Sequence, residues 1–323
     1  PEQEKNDDSL LWESYFIYDL ELMSRIATIL KRTDDASWFE ELSRERKVAF
    51  NDTYFNKETG QTIHSVLTDP PRKGELIGTQ TSYVLPLAFD ICDEIIKERV
   101  VNRLVERIGN GSSVNGVTYA PYTLMTGFIG TAWINHVLSE HGHTEMAYRL
   151  LQQPEYPSWL YPVEQGATTI WERLNSYTKE HGFGGNNSMN SFNHYSFGAI
   201  GSWMYSRSLG IERDNEYPGF KHFILRPEPD PTGEMTWAKG HYNSMYGRIE
   251  SEWHINPNEN SCTYRFMIPA NTTAKLYLRK NGKDKVFKDN TPLEALQDVE
   301  VLEENKNVVV IKLQSGEHFF QVK

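Results

Sequence analysis

The sequence of 323 residues predicts a multidomain α and β chain: a stacked or toroidal array of helical hairpins over residues 1–210, then an all-β sandwich over residues 211–323. Three observations carry this reading. Apolar residues recur at intervals of three and four in paired runs as far as about Gly210. Beyond that point, short runs alternate apolar and polar residues and are separated by turn-rich segments. The helical runs recur as hairpins without exact sequence repetition, which favours a stacked or toroidal array over a four-helix bundle.

The elements follow in order. From Tyr15 to about Leu30, the positions Phe16, Leu20, Met23, Ala27 and Leu30 trace one helical face. "DDASWFEELSRERKVAFNDTYF" continues in a similar phase with Phe39, Leu42 and Ala49, and Asp34, Asp35 and Ser37 offer caps and first-turn negative charge. "GTQTSYVLPLAFDIC" reads as a helix with Pro86 in its first turns or at a kink. "EIIKERVVNRLVERIGNG" places Ile96, Val100, Leu104 and Ile108 on one stripe and ends on glycine, as a helix with a left-handed stop does. "TGFIGTAWINHVLSEHGH" and "TEMAYRLLQQPEYPSW" read as a further antiparallel pair, and "NHYSFGAIGSWMYSRSLGI" closes the helical part with small residues Gly198, Ala199 and Gly201. The strands then run through "YPGFKHFILRPEP", "MTWAKGHYNSMYGRIESEWHI", "SCTYRFMIPANTTAKLYL", "NVVVIKL" and "HFFQVK".

Bulk properties narrow the partners. The formal net charge is −11 and no Lys/Arg run or basic stripe occurs, which argues against nucleic acid or an anionic membrane surface. A neutral or cationic partner fits better. No stretch of roughly 18 apolar residues suggests a membrane span. The opening "PEQEKNDDSLLW" lacks an initiator Met, a basic segment and an apolar segment, so the chain is expected to be a piece of a longer one. Cys92 and Cys262 lie far apart without His or Cys neighbours at ligand spacing, so neither a disulfide framework nor a metal site is expected. No cofactor motif is present, and no loop carries a run of ligands that argues for calcium. Aromatic residues make up 12% of the chain, a load that serves a core or stacks on sugar faces.

Three loops combine glycine with aromatic side chains, the mixture of a sugar-binding rim: "YAPYTLMTGFIGT", "QPEYPSWLYPVEQGATTIWER" and "HGFGGNNSMNSFNHYSFG". Glu172, beside Trp171 and Arg173, is the leading candidate for acid–base chemistry; its alternative is a salt-bridged surface carboxylate. Glu164 is a second acid in the same loop, with an ordinary exposed role as its alternative. His194 is placed either to contact a substrate hydroxyl or to serve as a capping or core histidine. Asn193 either caps the following helix or binds a hydroxyl. Trp159, Tyr161 and Phe128 either stack on a pyranose ring or fill the core.

"EYPSWLYPVEQGATTIWER", "MNSFNHYSFGAIGSWMY", "WAKGHYNSMYGRIESEW" and "PANTTAKLYL" closely resemble, in this order, the C-terminal portion of bacterial α-L-rhamnosidases of glycoside hydrolase family 78. "TQTSYVLPLAF", "TGFIGT" and "LSEHGHTEMAYRLL" fit the same family, so the resemblance covers nearly the whole chain. It implies part of an (α/α)6 helical toroid followed by a C-terminal β-sandwich. It further implies hydrolysis of terminal α-L-rhamnosyl groups with inversion, on a rhamnose-containing carbohydrate or glycoside. By resemblance Glu172 falls on the general base and His194 on a histidine that contacts the sugar, with Asn193, Trp159 and Phe128 as further sugar-binding candidates. The family's general acid lies in an upstream stretch resembling Asp-x-x-x-x-Arg-x-Glu-x-x-Gly-Trp, which does not occur here, so the isolated chain is expected to be inactive. Leu174 and Asn175 stand where the family usually carries Trp and Asp. Two rivals belong to other classes: a non-catalytic carbohydrate-binding or structural protein on the same fold, and a helical-toroid glycosidase or lyase acting on uronates. The latter would want an Arg/Lys-rich pocket that the three loops do not supply.

Overall fold

The structure, a computed structural model, describes residues 5–67, 71–184, 188–297 and 299–323. The chain divides into two compact units, Pro1–Ala199 and Ile200–Lys323.

The first unit opens with α1 (Asp8–Ile29), and α2 (Thr33–Tyr54) packs back along it. Asp7 caps α1: its carboxylate accepts the Ser9 amide at 3.0 Å, and the Ser65 amide and hydroxyl at 2.8 and 2.7 Å. An N-terminal amide that the helix leaves without a partner is thereby satisfied. The buried face of α1 is Leu10, Ile17, Leu20 and Ala27, a correction to the expected stripe: Phe16 and Met23 are each 43% exposed and Leu30 63%. The physical reason is that α1 is apolar on more than one side, so the helical spacing is satisfied by two stripes and only one is covered. On α2 the buried positions are Ser43, Phe50, Asn51 and Tyr54, whereas Phe39 and Leu42 are half-buried and Ala49 is exposed.

Beyond these, α3 (Gln80–Ala88) starts at Thr79, whose hydroxyl accepts the Ser82 amide at 3.1 Å. Pro86 stands in its last turn rather than its first. The stripe Ile96, Val100, Leu104 and Ile108 is buried along α4 (Glu94–Gly109), and Gly111, at φ +67°, supplies the left-handed conformation just past its end. Four shorter helices follow: α5 (Gly127–Thr131), α6 (Ile134–Glu140), α7 (Thr144–Gln152) and α8 (Leu160–Glu164). α6 and α7 pack together across a short turn containing Gly142. The unit also holds a tight helical turn at Ser196–Ala199 and two miniature hairpins that periodicity does not show: β1 (Phe55–Asn56) with β2 (Gln61–Thr62), and β3 (Ser112–Val114) with β4 (Val117–Tyr119). In the second, Asn115 and Gly116 both take positive φ, the conformation a two-residue hairpin turn requires.

The second unit begins with α9 (Ile200–Trp203), which runs into a wider π-type turn over Met204–Ser208. Two sheets follow. One has five strands in the order β13 (Glu300–Glu304), β14 (Val308–Leu313), β10 (Thr273–Arg279), β6 (His222–Leu225), β5 (Ile211–Arg213). The other has six: β12 (Thr291–Pro292), β11 (Val286–Lys288), β15 (Gly316–Val322), β9 (Ser261–Ile268), β8 (Gly247–Asn256), β7 (Trp237–Ser244). Their inward positions, among them Phe223, Leu225, Ile249, Trp253, Phe266, Leu276 and Ile311, form one fully buried core. The alternation seen in the sequence is the in–out alternation of these strands.

No described helix is long and apolar enough to cross a membrane. Among the described residues, no group of three His, Cys, Asp or Glu side chains stands ready to hold a metal ion.

Candidate active site

The second and third glycine-aromatic loops meet along their backbones. α8 ends at Glu164, and Gly166 at φ +97° turns the chain, with the Ala167 amide bonded back to the Pro162 carbonyl at 2.8 Å. The chain then passes, with bends at Thr168, Thr169 and Glu172, beside residues 191–194. The Glu172 amide donates to the Ser191 carbonyl and the His194 amide to the Ile170 carbonyl, each at 2.9 Å. The Thr169 hydroxyl donates to the Phe192 carbonyl at 2.5 Å. These rungs place Glu172 and His194 on neighbouring segments, although 22 positions separate them in the chain.

Glu172 is half-buried, and its Oε2 accepts the Ser191 amide at 2.9 Å. One carboxylate oxygen is thus anchored by backbone while the group stays partly open to solvent, an arrangement that can take a proton from water. Trp171 beside it is 6% exposed and packs edge-on against Phe192 at 5.2 Å and Tyr177 at 6.4 Å; Phe183 closes this aromatic cluster. The Arg173 guanidinium donates to Asn190 Oδ1 at 3.3 Å. Glu164 lies exposed at the end of its helix.

A second constellation joins all three loops. The His194 imidazole stacks on Phe128 with centroids 4.9 Å apart and planes at 23°. Phe128 meets Phe197 edge-on at 5.2 Å, and the Trp159 indole N–H donates to the Phe197 carbonyl at 2.9 Å. Gly127, at φ +59°, turns the chain into α5 just before Phe128. The structure therefore brings Phe128, Trp159 and His194 together. Trp159 is nearly buried at 7% exposure, so it supports the wall, whereas Phe128 and His194 are half-buried. Asn193 is exposed, and its amide donates to the Ser191 hydroxyl at 3.3 Å. Tyr161 lies edge-on to Tyr156 at 5.3 Å. The anchoring partners Ser191, Thr169 and Ile170 act through backbone or a single hydroxyl, and no side-chain signal in the sequence singles them out.

Known proteins carry the same pattern. A family model described as the bacterial alpha-L-rhamnosidase 6 hairpin glycosidase domain matches residues 1–207, and the bacterial alpha-L-rhamnosidase C-terminal domain matches residues 210–291. An alpha-L-rhamnosidase of Formosa agariphila is 33% identical over 98% of this chain and 31% of its own length. One from Streptomyces avermitilis is 31% identical over 96% of this chain and 26% of its own. This chain therefore spans about a third or less of these relatives. The crystal structure of the Streptomyces avermitilis alpha-L-rhamnosidase complexed with L-rhamnose superposes with a TM-score of 0.80 at 29% identity, covering 99% of this chain and 27% of that one. The alpha-L-rhamnosidase of Dictyoglumus thermophilum superposes at 0.78 and 29% identity, over 96% and 31%.

Proposed function

The chain belongs to the bacterial α-L-rhamnosidase family, with a helical six-hairpin part followed by a β-sandwich, and on that premise we propose that it is part of an inverting hydrolase of terminal α-L-rhamnosides. The observation that carries the reading is the Glu172 carboxylate, anchored on Oε2 by the Ser191 amide beside the segment that holds His194. Glu172 is the general base. Its second oxygen takes a proton from the water that attacks the anomeric carbon, and the Ser191 N–H keeps the carboxylate aimed. His194, held flat against Phe128, presents a ring nitrogen to a sugar hydroxyl, and Asn193 offers an exposed amide to the same ring. Trp159 backs the wall through the Phe197 carbonyl.

Inversion requires a second carboxyl, roughly 6.5 to 9.5 Å from the first, to protonate the leaving oxygen. We assign that acid to further helices of a longer protein. In support, α1 and α2 expose large apolar side chains, with Trp12 71% and Trp38 58% accessible. With these side chains uncovered and no second carboxyl placed beside Glu172 among the described residues, the chain alone is expected to be inactive. The test is hydrolysis of an aryl α-L-rhamnoside by the longest native form containing this chain, beside its Glu172→Gln variant. A loss of about 10²- to 10⁴-fold is expected in the variant. Unchanged turnover overturns the general-base assignment, and release of rhamnose with retained anomeric configuration overturns the inverting mechanism.

A further inference from the structure

The outer face of the six-stranded sheet carries a built polar surface that the hydrolytic reading does not use. Strand register sets its rows. Trp237 on β7 faces His254 on β8, which faces Thr263 on β9; Lys239, Glu252, Arg265 and Phe319 form the next row, and His241, Glu250, Met267 and Glu317 a third. Between the rows lies a cavity of about 120 Å³ lined by Lys239, His241, Arg248, Glu250, Glu252 and Arg265. Its charged groups are tied to one another: Lys239 to Glu252 at 3.1 Å, His254 to Glu252 at 2.8 Å, and Arg265 to Glu250 at 2.9 Å and Glu317 at 2.6 Å. Arg265 holds the Glu250 carboxyl below its ordinary range, and hydrogen bonding to His254 does the same for Glu252.

At the edge of this ladder Trp237 is 57% exposed, its ring lying beside His254 with planes 16° apart. Phe319, also on this face, is 45% exposed.

We propose that this face is a second carbohydrate-binding site, which takes a neutral glycan chain with one pyranose ring against Trp237 and its hydroxyls against the Lys239–Glu252–Arg265 row. Three features select that occupant. Lys239, Arg248 and Arg265 are matched by Glu250, Glu252 and Glu317, so the surface offers no net field to a phosphate or polyanion. Adjacent charged donors and acceptors complement vicinal hydroxyls, each of which both donates and accepts. The indole supplies the apolar face that a sugar's C–H surface needs. Because the ladder already fixes its own side chains, binding orders few of them further.

The test is affinity electrophoresis of the chain in native gels containing, one at a time, rhamnan, galactomannan, xyloglucan or polygalacturonate. Retardation is expected with at least one neutral polysaccharide. Trp237→Ala should weaken it at least tenfold, Trp237→Tyr should restore part of it, and the solvent-exposed Lys239→Ala should weaken it with an unchanged melting temperature. His194→Ala, which removes the proposed sugar contact in the other unit, should leave it intact; loss of retardation in that variant would place the binding at the hydrolytic site and overturn the proposal. No retardation by any neutral polysaccharide, equal retardation in Trp237→Ala, or retardation by polygalacturonate alone overturns the proposal.

Discussion

Phe128 and His194 come from loops 66 positions apart and meet ring on ring at 4.9 Å. Such a contact is worth about 0.5–1.5 kcal/mol, so its main value is to fix the imidazole's plane. Phe128→Ala is expected to raise KM for an aryl rhamnoside several-fold, up to about tenfold, with a smaller change in kcat; steady-state kinetics on the full-length protein checks this. Both residues could be named as candidates from sequence, because aromatics and histidine stand out in glycine-rich loops. Their juxtaposition could not, since it depends on how α5 and the chain after residue 190 are turned. The Glu172 carboxylate is likewise visible as a type, but the role proposed for it rests on the resemblance, and its Ser191 anchor is seen only in the backbone geometry. Asp7 shows the same limit. Burial alone would raise its pKa, yet the hydrogen bonds from Ser9 and Ser65 outweigh that and hold it below the ordinary 3.8. A carboxylate depressed in the folded state contributes stability above its unfolded pKa and loses it as pH falls through the folded value. Buried His64 is lowered from 6.5, first by burial and then by Arg72, so charging it on acidification adds to the loss. Thermal unfolding should therefore show the helical unit weakening as pH drops below about 6.5 and more steeply below about 4, and Asp7→Ala should cost about 2 kcal/mol near neutrality.

At the scale of elements, helix-forming pattern and helix packing part company. The spacing on α1 located the helix but not its covered side, because two apolar stripes compete and only tertiary contact chooses between them. α4 carries a single stripe, Ile96 to Ile108, and there the expectation matched the burial. Polar residues inside elements were the least legible. Gln80, 2% exposed on α3, clamps the loop before α5: its amide donates to the Thr123 carbonyl at 2.9 Å, and its Oε1 accepts the Met125 amide at 2.8 Å. Nothing in composition separates such a clamp from a surface glutamine. Gln80→Leu would strand two buried backbone groups and is expected to cost about 2–4 kcal/mol, measured as a shift of the denaturation midpoint. Gly130 in α5 makes a sharper test. An alanine in a helix interior ordinarily gains up to about 1 kcal/mol over glycine. Here its Cβ would lie 2.8 Å from the Thr81 hydroxyl and 2.9 Å from Thr126 Cβ, so Gly130→Ala should destabilise instead.

For the whole molecule, the division into a helical part and a β part was the most legible feature, because the apolar period changes once and stays changed. The sandwich core follows from the alternation: Trp253, fully buried with its indole N–H donating to the Ser208 carbonyl at 2.7 Å, is the inward residue at the centre of β8. Trp253→Ala is expected to cost about 3–5 kcal/mol, seen in the sandwich's unfolding transition by near-ultraviolet dichroism. The outward rows were less legible, since alternation says which residues face out but not which cross-strand neighbours they meet. Two main-chain rungs and the Thr169 hydroxyl hold residues 169–172 against 191–194, so an exposed turn in the stretch joining them can change length without moving either segment. Each doubling of a flexible loop adds only about 0.6 kcal/mol of closure cost. Insertions in the exposed turn at residues 179–181, whose flanking residues Thr178 and Gly182 bond to each other, should therefore be tolerated with the fold intact, as thermal unfolding would show. Descendants of this chain can drift in what their rim recognises while the carboxylate keeps its place, and lineage divergence should concentrate in that interval.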